Sequence, residues 1–456
     1  MTRRLPAWTA PVVAALALRL ALLAIVPIAN NQSGDTPDYA ALAHGVLSGY
    51  GFSTDTSPAH VSTFERPPTY PLLIALVWLV TGKSWVALGV VQCALDAAVV
   101  ALLHDTALRR LGAREATLAA WLYALLPFPA GTAIQFMSEG LSGFAFVLAA
   151  WAATRARDAE RAGRWLVLAG VAMGVSALTR PYLIPVGAVF GAQIALEQRR
   201  ARSLSWARTG VAIALFGAAC AAPFAPWVAR NAWASRAYGA PFVLVQAYAS
   251  RPPYTNMHTK EFDGYMASFA EPFVWTDTFK PPSGGYLSPE ERAEVAALWV
   301  KIEAGNGVMT PEMNQAFARL TRERYRAAPL RLYVWRPVSM ALKTWFSPRA
   351  STFRVSLDGG SGLAQGSRAL LGALLLINAS TTLLALIGVA VVARRSRLDA
   401  AFLAAAPLAL TALLVWLATR ETRLTMPLYG LLTVACAAGS VWLTGRVRAR
   451  LTARSA

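Results

Sequence analysis

The chain has 456 residues, of which 56% are hydrophobic, and its mean hydropathy is +0.43. These values exclude an ordinary soluble globule and indicate a polytopic membrane protein. The formal net charge is +19, but the sequence holds no basic soluble domain with interleaved aromatic residues, which argues against nucleic acid as a partner.

Ten apolar stretches are predicted to be spanning helices. In chain order they are 8–28, 85–104, 115–131, 138–154, 165–180, 182–197, 209–230, 367–393, 400–418 and 424–444. The apolar segment 68–80 is shorter than the roughly 20 residues that cross a bilayer. The predicted fold class is an all-α polytopic membrane protein with about 10 to 12 spans.

The position of segment 68–80 follows from the topology. If it crossed the bilayer, Arg109, Arg110 and Arg114 would lie outside, against the positive-inside rule. If segment 68–80 is interfacial, the basic stretches all lie on the same side of the membrane. There their arginines can also be attracted to anionic lipid heads. We therefore predict that both termini lie in the cytoplasm and the long loops outside, as in a bacterial inner-membrane protein with periplasmic loops.

Two long outer loops follow from this topology, and they divide the chain into three parts. Residues 1–230 form an N-terminal membrane domain that contains the outer loop 30–84. Residues 231–366 form a large, mostly helical periplasmic loop, and residues 367–456 form the C-terminal membrane helices and cytoplasmic tail.

The large loop has its own helix signals. Ser288 to Glu291 is a capping box with Pro289 at the first helical position, and Thr310-Pro311 begins another helix. After Pro329, the tryptophan and basic spacing fits an amphipathic helix on the outer membrane surface.

Charges within the predicted spans need compensation. Arg19 lies near the middle of the first span and Asp96 near the middle of the next, which predicts a buried ion pair between the two helices.

Another set of charges lies at the outer ends of spans, where the positive-inside rule disfavours arginine. Any single one can be a snorkelling anchor or part of a local salt bridge, as Glu421 with a neighbouring arginine. Together they fit an anion held at the bilayer, because guanidinium binds phosphate oxygens bidentately and keeps its charge. The set comprises Arg66, Arg180, Arg230, Arg420 and Arg423.

The outer loop supplies carboxylates. Asp35 can accept a proton from a hydroxyl nucleophile, or it can be the N-cap of a helix that begins at Pro37. Asp38 is typical of a first-turn acid favoured by the helix dipole.

Short motifs in this loop are followed, in order along the chain, by others at outer helix ends. Together these motifs resemble one family. The motifs are Gly34-Asp35-x-x-x-Tyr39-Ala40, Gly49-x-Gly51-Phe52, Glu65-Arg66-Pro67-Pro68-x-Tyr70-Pro71, Ser138-Glu139, Leu178-Thr179-Arg180-Pro181, Pro226-Trp227-x-x-Arg230-Asn231 and Glu421-Thr422-Arg423-Leu424-x-x-Pro427. The chain resembles the GT-C fold glycosyltransferases that use polyprenyl-phosphate sugars, in particular the protein O-mannosyltransferase and aminoarabinose transferase branch.

The resemblance implies roles for residues at matching positions. Asp35 is the expected general base, Glu65 a second catalytic acid, and Arg66 a contact to the donor phosphate. The motif residues Arg180, Arg230 and Arg423 are candidates for the same phosphate, and Tyr39, Tyr70, Glu139 and Glu421, with Asp38, are supporting residues. In some relatives the glutamate helps bind a divalent metal. His44, His60 and His258 lie in outer loops, but none has the spacing of metal ligands, and a metal cofactor stays open.

The implied reaction is inverting transfer of a sugar from a polyprenyl-phosphate donor to a lipid, glycan or protein acceptor. No nucleotide-binding loop occurs in the sequence, as expected for a pre-activated donor held in the bilayer. Two alternatives stay open: a polymerase or ligase acting on lipid pyrophosphate, and a lipid or sugar transporter.

Overall fold

The structure, a computed structural model, describes residues 5–32, 34–54, 62–201, 203–239, 242–246, 259–269, 285–305, 307–353, 355–356, 364–365, 367–417 and 422–455. The chain divides into two compact units. The first comprises residues 1–246, 345–410 and 422–456, and the second comprises residues 247–344 and 411–421. The predicted three-part division stays a prediction.

Helices make up nearly all of the regular structure. They are α1 (Thr9–Ile25), α2 (Thr36–Leu47), α3 (Thr69–Thr81), α4 (Trp85–Arg110), α5 (Ala113–Leu125), α6 (Pro127–Ile134), α7 (Glu139–Asp158), α8 (Ala162–Thr179), α9 (Ile184–Ala201), α10 (Trp206–Ala221), α11 (Phe224–Ala237), α12 (Lys260–Ala267), α13 (Pro289–Ala304), α14 (Pro311–Ala327), α15 (Arg336–Trp345), α16 (Arg368–Arg395), α17 (Arg397–Trp416) and α18 (Tyr429–Ser455). Two short parallel strands, β1 (Val355–Ser356) and β2 (Ala364–Gln365), pair Val355 with Ala364 and Ser356 with Gln365.

Five helical stretches within the described residues are long and apolar enough to cross a membrane, and up to seven if each of two bent pairs is one span. The bent pairs are α5 with α6, at 50°, and α10 with α11, at 49°. Each bend lies at a proline, Pro127 and Pro223, which cannot donate the helical hydrogen bond. The all-α membrane fold is therefore confirmed, and the count of ten spans stays a prediction.

Segment 68–80 forms the short helix α3. Its C-cap is Gly82, whose φ of +67° is the left-handed conformation that ends many helices. Leu76, Leu79 and Val80 are exposed along it, as expected for a helix in contact with lipid. Its interfacial position stays a prediction.

Helices α16 and α18 approach each other closely. A Cβ at Gly388 would lie 1.8 Å from the carbonyl oxygen of Ala435, and one at Gly439 would lie 2.0 Å from that of Leu384. Small residues of this kind let helices in membranes pack backbone against backbone. The first half of α18 is therefore packed closely against α16.

The second unit confirms the two predicted helix starts. The Ser288 hydroxyl accepts a hydrogen bond from the Glu291 amide (3.2 Å), and the Thr310 hydroxyl accepts one from the Met313 amide (3.3 Å). Beyond α14, Tyr333, Val334 and Trp335 form an exposed apolar turn that precedes α15. The predicted position of this segment on the membrane surface stays a prediction.

Four helices of the first unit are joined by a buried ionic network. Arg110 on α4 pairs with Glu197 on α9 (2.9 Å) and with Asp399 on α17 (2.9 Å), and it donates to the Thr154 hydroxyl on α7 (2.7 Å). Part of the high arginine content of the sequence is therefore used in packing.

The predicted pair of Arg19 and Asp96 is confirmed. Nε of Arg19 contacts Oδ2 of Asp96, and the arginine is completely buried. The guanidinium also donates to the Ala124 carbonyl (2.7 Å), and the Tyr123 hydroxyl donates to Asp96 (2.8 Å). Both charges are thus compensated, and the pair connects α1, α4 and α5.

We expect Arg19→Met to destabilise the protein by about 3–5 kcal/mol, because it leaves the Asp96 carboxylate buried without its cation. The double variant Arg19→Met/Asp96→Leu removes both charges and should be the more stable of the two. Thermal unfolding in one detergent measures the difference. A double variant that is less stable than the single one would contradict this account of the pair.

Candidate active site

Six charged side chains of the first unit meet at helix ends and form what we call the arginine–carboxylate cluster. Three are acids and three are arginines, so their formal charges cancel. They are Asp35, Asp38, Arg66, Glu139, Arg180 and Arg423.

Local structure explains why these residues lie at helix ends. Asp35 directly precedes α2, and Asp38 is in its first turn. Glu139 is the first residue of α7, and Arg180 directly follows α8. An acid at a helix N-terminus and a cation at a C-terminus both interact favourably with the helix dipole. Arg423 lies in the 3-10 turn Thr422–Leu428 before α18.

Arg66 is the centre of the first part of the cluster. Its Nη2 donates to Oδ1 of Asp35 (2.9 Å) and to Oδ2 of Asp38 (2.8 Å), and its Nε donates to the same oxygen of Asp38 (3.2 Å). The guanidinium carbon also lies 5.6 Å from the centroid of the Tyr39 ring. Arg66 is thus held by two carboxylates and an aromatic ring.

Arg423 connects the end of the chain to its beginning. Its Nη1 donates to Oδ2 of Asp35 (3.2 Å), and its Nε lies 3.8 Å from Oε1 of Glu139. Nη2 of Arg180 contacts the same oxygen of Glu139. Asp35 therefore has one arginine on each carboxylate oxygen, Arg66 on Oδ1 and Arg423 on Oδ2. Oε1 of Glu139 faces both Arg180 and Arg423.

The ionisation of Asp35 reflects two opposing effects. Burial acts to raise the pKa of this carboxyl, whereas Arg66, Arg423 and Arg180 act to lower it. The arginines prevail, so the pKa lies below its usual value of 3.8. Asp35 is consequently a carboxylate at neutral pH.

The two predicted tyrosines lie directly behind the cluster. Their rings pack edge to face at 5.0 Å, and the Tyr39 hydroxyl lies 3.3 Å from that of Ser138. The Tyr70 hydroxyl donates to Gln92 on α4 (2.8 Å). Burial raises the pKa of Tyr39, which therefore stays neutral and keeps its hydroxyl proton.

Arg230 lies in a different setting from the three cluster arginines. Its guanidinium donates to the carbonyl oxygens of Phe52 (3.0 Å) and Thr63 (2.9 Å) and to the Asn231 side chain. These contacts hold the two sides of the outer loop together. The predicted contact of Arg230 with a donor phosphate stays a prediction.

The remaining predicted residues are less closely tied to the cluster. Glu65 adjoins Arg66 in the chain. Its amide donates to the Thr63 hydroxyl (3.2 Å), and its carbonyl accepts from Gln246 (2.7 Å). Its catalytic role stays a prediction. Arg420 and Glu421 lie outside the described residues.

No metal centre is formed by the parts of the chain that the structure describes, since no three His, Cys, Asp or Glu side chains group there as ligands would. The cluster carboxylates instead face arginines. His60 and His258 are outside the described ranges, and a metal cofactor stays open.

Sequence reasoning missed the contacts that join the parts of the site. The Thr69 hydroxyl donates to that of Thr179 (2.8 Å), which ties α3 to α8. The Tyr182 hydroxyl donates to the Leu424 carbonyl (2.9 Å), which ties the Arg180 turn to the Arg423 turn. Thr69, Thr179 and Leu424 stand within the recognised motifs and Tyr182 directly follows one of them, so a position in or beside a motif was the available signal.

Fold and site together define a helical, polytopic membrane protein with arginines and carboxylates gathered at the helix ends of one unit. Residues 65–227 match the family model described as dolichyl-phosphate-mannose-protein mannosyltransferase. This is a glycosyltransferase family, and the matched segment contains Glu65, Arg66, Tyr70, Glu139 and Arg180. Among curated protein sequences, none matches the chain.

One solved structure agrees at the level of the fold. The chain is similar to the archaeal oligosaccharyltransferase AglB from Archaeoglobus fulgidus, solved with an inhibitory peptide and a dolichol-phosphate. The TM-score is 0.51 at 13% identity, over 98% of this chain and 52% of that one. This chain thus spans about half the length of that relative. The similarity supports the GT-C fold, and the predicted resemblance to this class is confirmed.

A second solved structure is ArnT from Cupriavidus metallidurans bound to undecaprenyl phosphate. The TM-score is 0.43 at 15% identity, over 95% of this chain and 77% of that one.

Proposed function

We propose that this protein is a membrane glycosyltransferase that moves one sugar from a polyprenyl-phosphate carrier to an acceptor hydroxyl or amine. The observation that carries the proposal is the convergence of Arg66, Arg180 and Arg423 beside Asp35. Three arginines from distant parts of the chain offer a set of donors for phosphate oxygens. The neighbouring carboxylate offers a base.

In the proposed reaction the acceptor oxygen or nitrogen attacks the anomeric carbon as the bond to the phosphate oxygen breaks, and the configuration inverts. The polyprenyl phosphate leaves with the electron pair of that bond. Arg66 and Arg423 stabilise the charge that develops on the phosphate oxygens, with Arg180 behind them. Asp35 takes the proton of the acceptor.

The ion pairs of Asp35 set the order of donor binding and acceptor activation. As long as Arg66 and Arg423 are paired with Asp35, they lower its pKa and make it a weak base. A donor phosphate competes for the same guanidinium groups, and the pKa of Asp35 rises as they turn to it. Donor binding would therefore precede the activation of the acceptor.

Release of free polyprenyl phosphate tests the proposal. Purified protein in lipid nanodiscs is incubated with a panel of polyprenyl-phosphate sugars and candidate acceptors, and the free lipid phosphate is measured by mass spectrometry. We expect release with one sugar and transfer of that sugar to the acceptor. If the protein, reconstituted in vesicles, moves intact donor across the bilayer without releasing lipid phosphate, that result would instead support the transporter.

The proposed orientation places the cluster on the periplasmic side of a bacterial inner membrane, with both termini in the cytoplasm. It rests on the positive-inside distribution of arginine. A reporter fused at Gly82, where α3 ends, should be active only outside the cytoplasm. A cytoplasmic signal there would mean that α3 crosses the bilayer and that the orientation is wrong.

A further inference from the structure

Arg349 is a buried arginine that the proposed reaction does not use. It lies in the loop between α15 and α16, within the first unit, and is 1% exposed. Its φ is +49°, a left-handed conformation that is uncommon for a residue other than glycine. Burial lowers the pKa of Arg349 to about 10, so it is still a cation at neutral pH. A buried charge in a strained position needs an explanation.

The contacts of Arg349 converge on the turn that carries Arg423. Its Nη1 donates to the Thr422 carbonyl (3.1 Å) and to the Thr425 hydroxyl (2.7 Å). The Thr425 hydroxyl in turn donates to the Thr422 carbonyl (2.8 Å). One guanidinium thus bonds to the residue before Arg423 and to the residue two positions after it.

The other end of the guanidinium is fixed to a rigid helix. Its Nε donates to Oδ1 of Asn378 on α16 (2.9 Å). The Asn378 amide group donates to the Trp345 carbonyl (2.7 Å) and to the Ser347 carbonyl (2.8 Å), which fixes the path of the chain into Arg349. Because α16 and α18 pack at their glycines, this helix is a stable support for the turn.

We propose that Arg349 is a positioning residue, which holds the turn Thr422–Leu428 so that the Arg423 guanidinium reaches Asp35 and the donor phosphate. This inference rests on the proposed function for its effect on the donor. The Arg423 side chain is one-third exposed and pairs with Asp35, whereas the backbone of its turn accepts a hydrogen bond from the buried Arg349. Without this support, the turn would let Arg423 adopt many orientations. Each productive encounter with the donor phosphate would then cost conformational entropy.

A double-mutant cycle tests this inference. We expect Arg349→Met to raise the KM for the donor about tenfold with a smaller change in kcat, because Arg349 affects the donor through Arg423. In an Arg423→Ala background the same change should add less than about twofold. Arg349→Lys keeps the charge and should recover part of the loss. Arg336→Met is the matched control, a buried arginine of the second unit, and should leave the donor KM near that of the unaltered protein.

A purely structural role predicts a different pattern, in which Arg349→Met lowers activity and the amount of folded protein by the same factor in both backgrounds. That result would overturn the inference. An Arg423→Ala protein with an unchanged donor KM would instead refute the proposed donor site.

Crosslinking then tests positioning without activity. In a protein whose three natural cysteines are replaced, a short bis-maleimide should join Cys introduced by Asp35→Cys and Arg423→Cys. Arg349→Met should reduce the crosslinked fraction severalfold, and an equal fraction with and without this change would overturn the positioning role.

Discussion

Asp35→Asn should lower kcat for sugar transfer by about 100- to 10,000-fold, which is the usual contribution of a general base. Asparagine has nearly the shape of aspartate, but its single carbonyl oxygen can accept from only one of Arg66 and Arg423, and it cannot take a proton from the acceptor. Membrane abundance and thermal stability should change little. The measurement is single-turnover sugar transfer with saturating donor, alongside quantification of folded protein.

Asp38→Asn is the matched control for this change. Asp38 lies one turn along the same helix and is also paired with Arg66, and the side chains of Asp35 and Asp38 have similar exposure, 19% and 16%. Because Asp38 is not the proposed base, we expect a loss at least tenfold smaller than that of Asp35→Asn. Equal losses would mean that the charge balance of the cluster, not a base at Asp35, supports transfer. Near-normal turnover by Asp35→Asn would also contradict the assignment.

Arg66→Ala should lower kcat/KM for the donor by about 100- to 1,000-fold, as does the loss of a preorganised donor to a developing negative charge. Its donor KM should rise and its kcat should fall, because the proposed phosphate contact forms before bond cleavage and strengthens as charge develops on the phosphate. Initial rates across a range of donor concentrations separate the two effects. An unchanged dependence on donor concentration would remove Arg66 from the phosphate site.

The same variant should also change the pH dependence of transfer. Arg66 is the strongest of the arginines that oppose the effect of burial on Asp35, and without it the pKa of Asp35 rises. A base is lost as the pH falls through its pKa, so the acid limb of the kcat/KM profile, which reports the free enzyme, should move to higher pH. Arg66→Lys keeps a cation beside Asp35 and should move the limb less, although it loses the fork geometry. Identical acid limbs in the Arg66→Ala and unaltered proteins would contradict the coupling.

Asp35 illustrates where sequence reasoning reached its limit. The residues around it were equally compatible with a base and with the N-cap of a helix. The structure has Asp35 at the cap position of α2, but its side chain makes no capping hydrogen bond. The carboxylate instead faces Arg66 and Arg423, the second of which is 388 residues away in the chain. No local pattern encodes a contact between residues so far apart.

The arginines at outer helix ends show a similar division. All were chosen by one criterion, a cation where the positive-inside rule disfavours it. The structure brings Arg66, Arg180 and Arg423 into one cluster and uses Arg230 to hold loop carbonyls. Arg349 meets a similar criterion, since it precedes a predicted span on the outer side, but it stands outside the recognised motifs and was overlooked.

The sequence alone was enough to predict the membrane class, the apolar helices, the caps of the second unit, the Arg19–Asp96 pair and the resemblance to GT-C enzymes. These follow from composition, periodicity and short motifs, which are local properties of the chain. The folded structure was needed to show which guanidinium pairs with which carboxylate, where proline bends a span, and how Arg349 supports the turn of Arg423. Those outcomes depend on the packing of helices that are distant in sequence. A buried charge is costly unless it is paired, and its partner can come from any helix packed beside it.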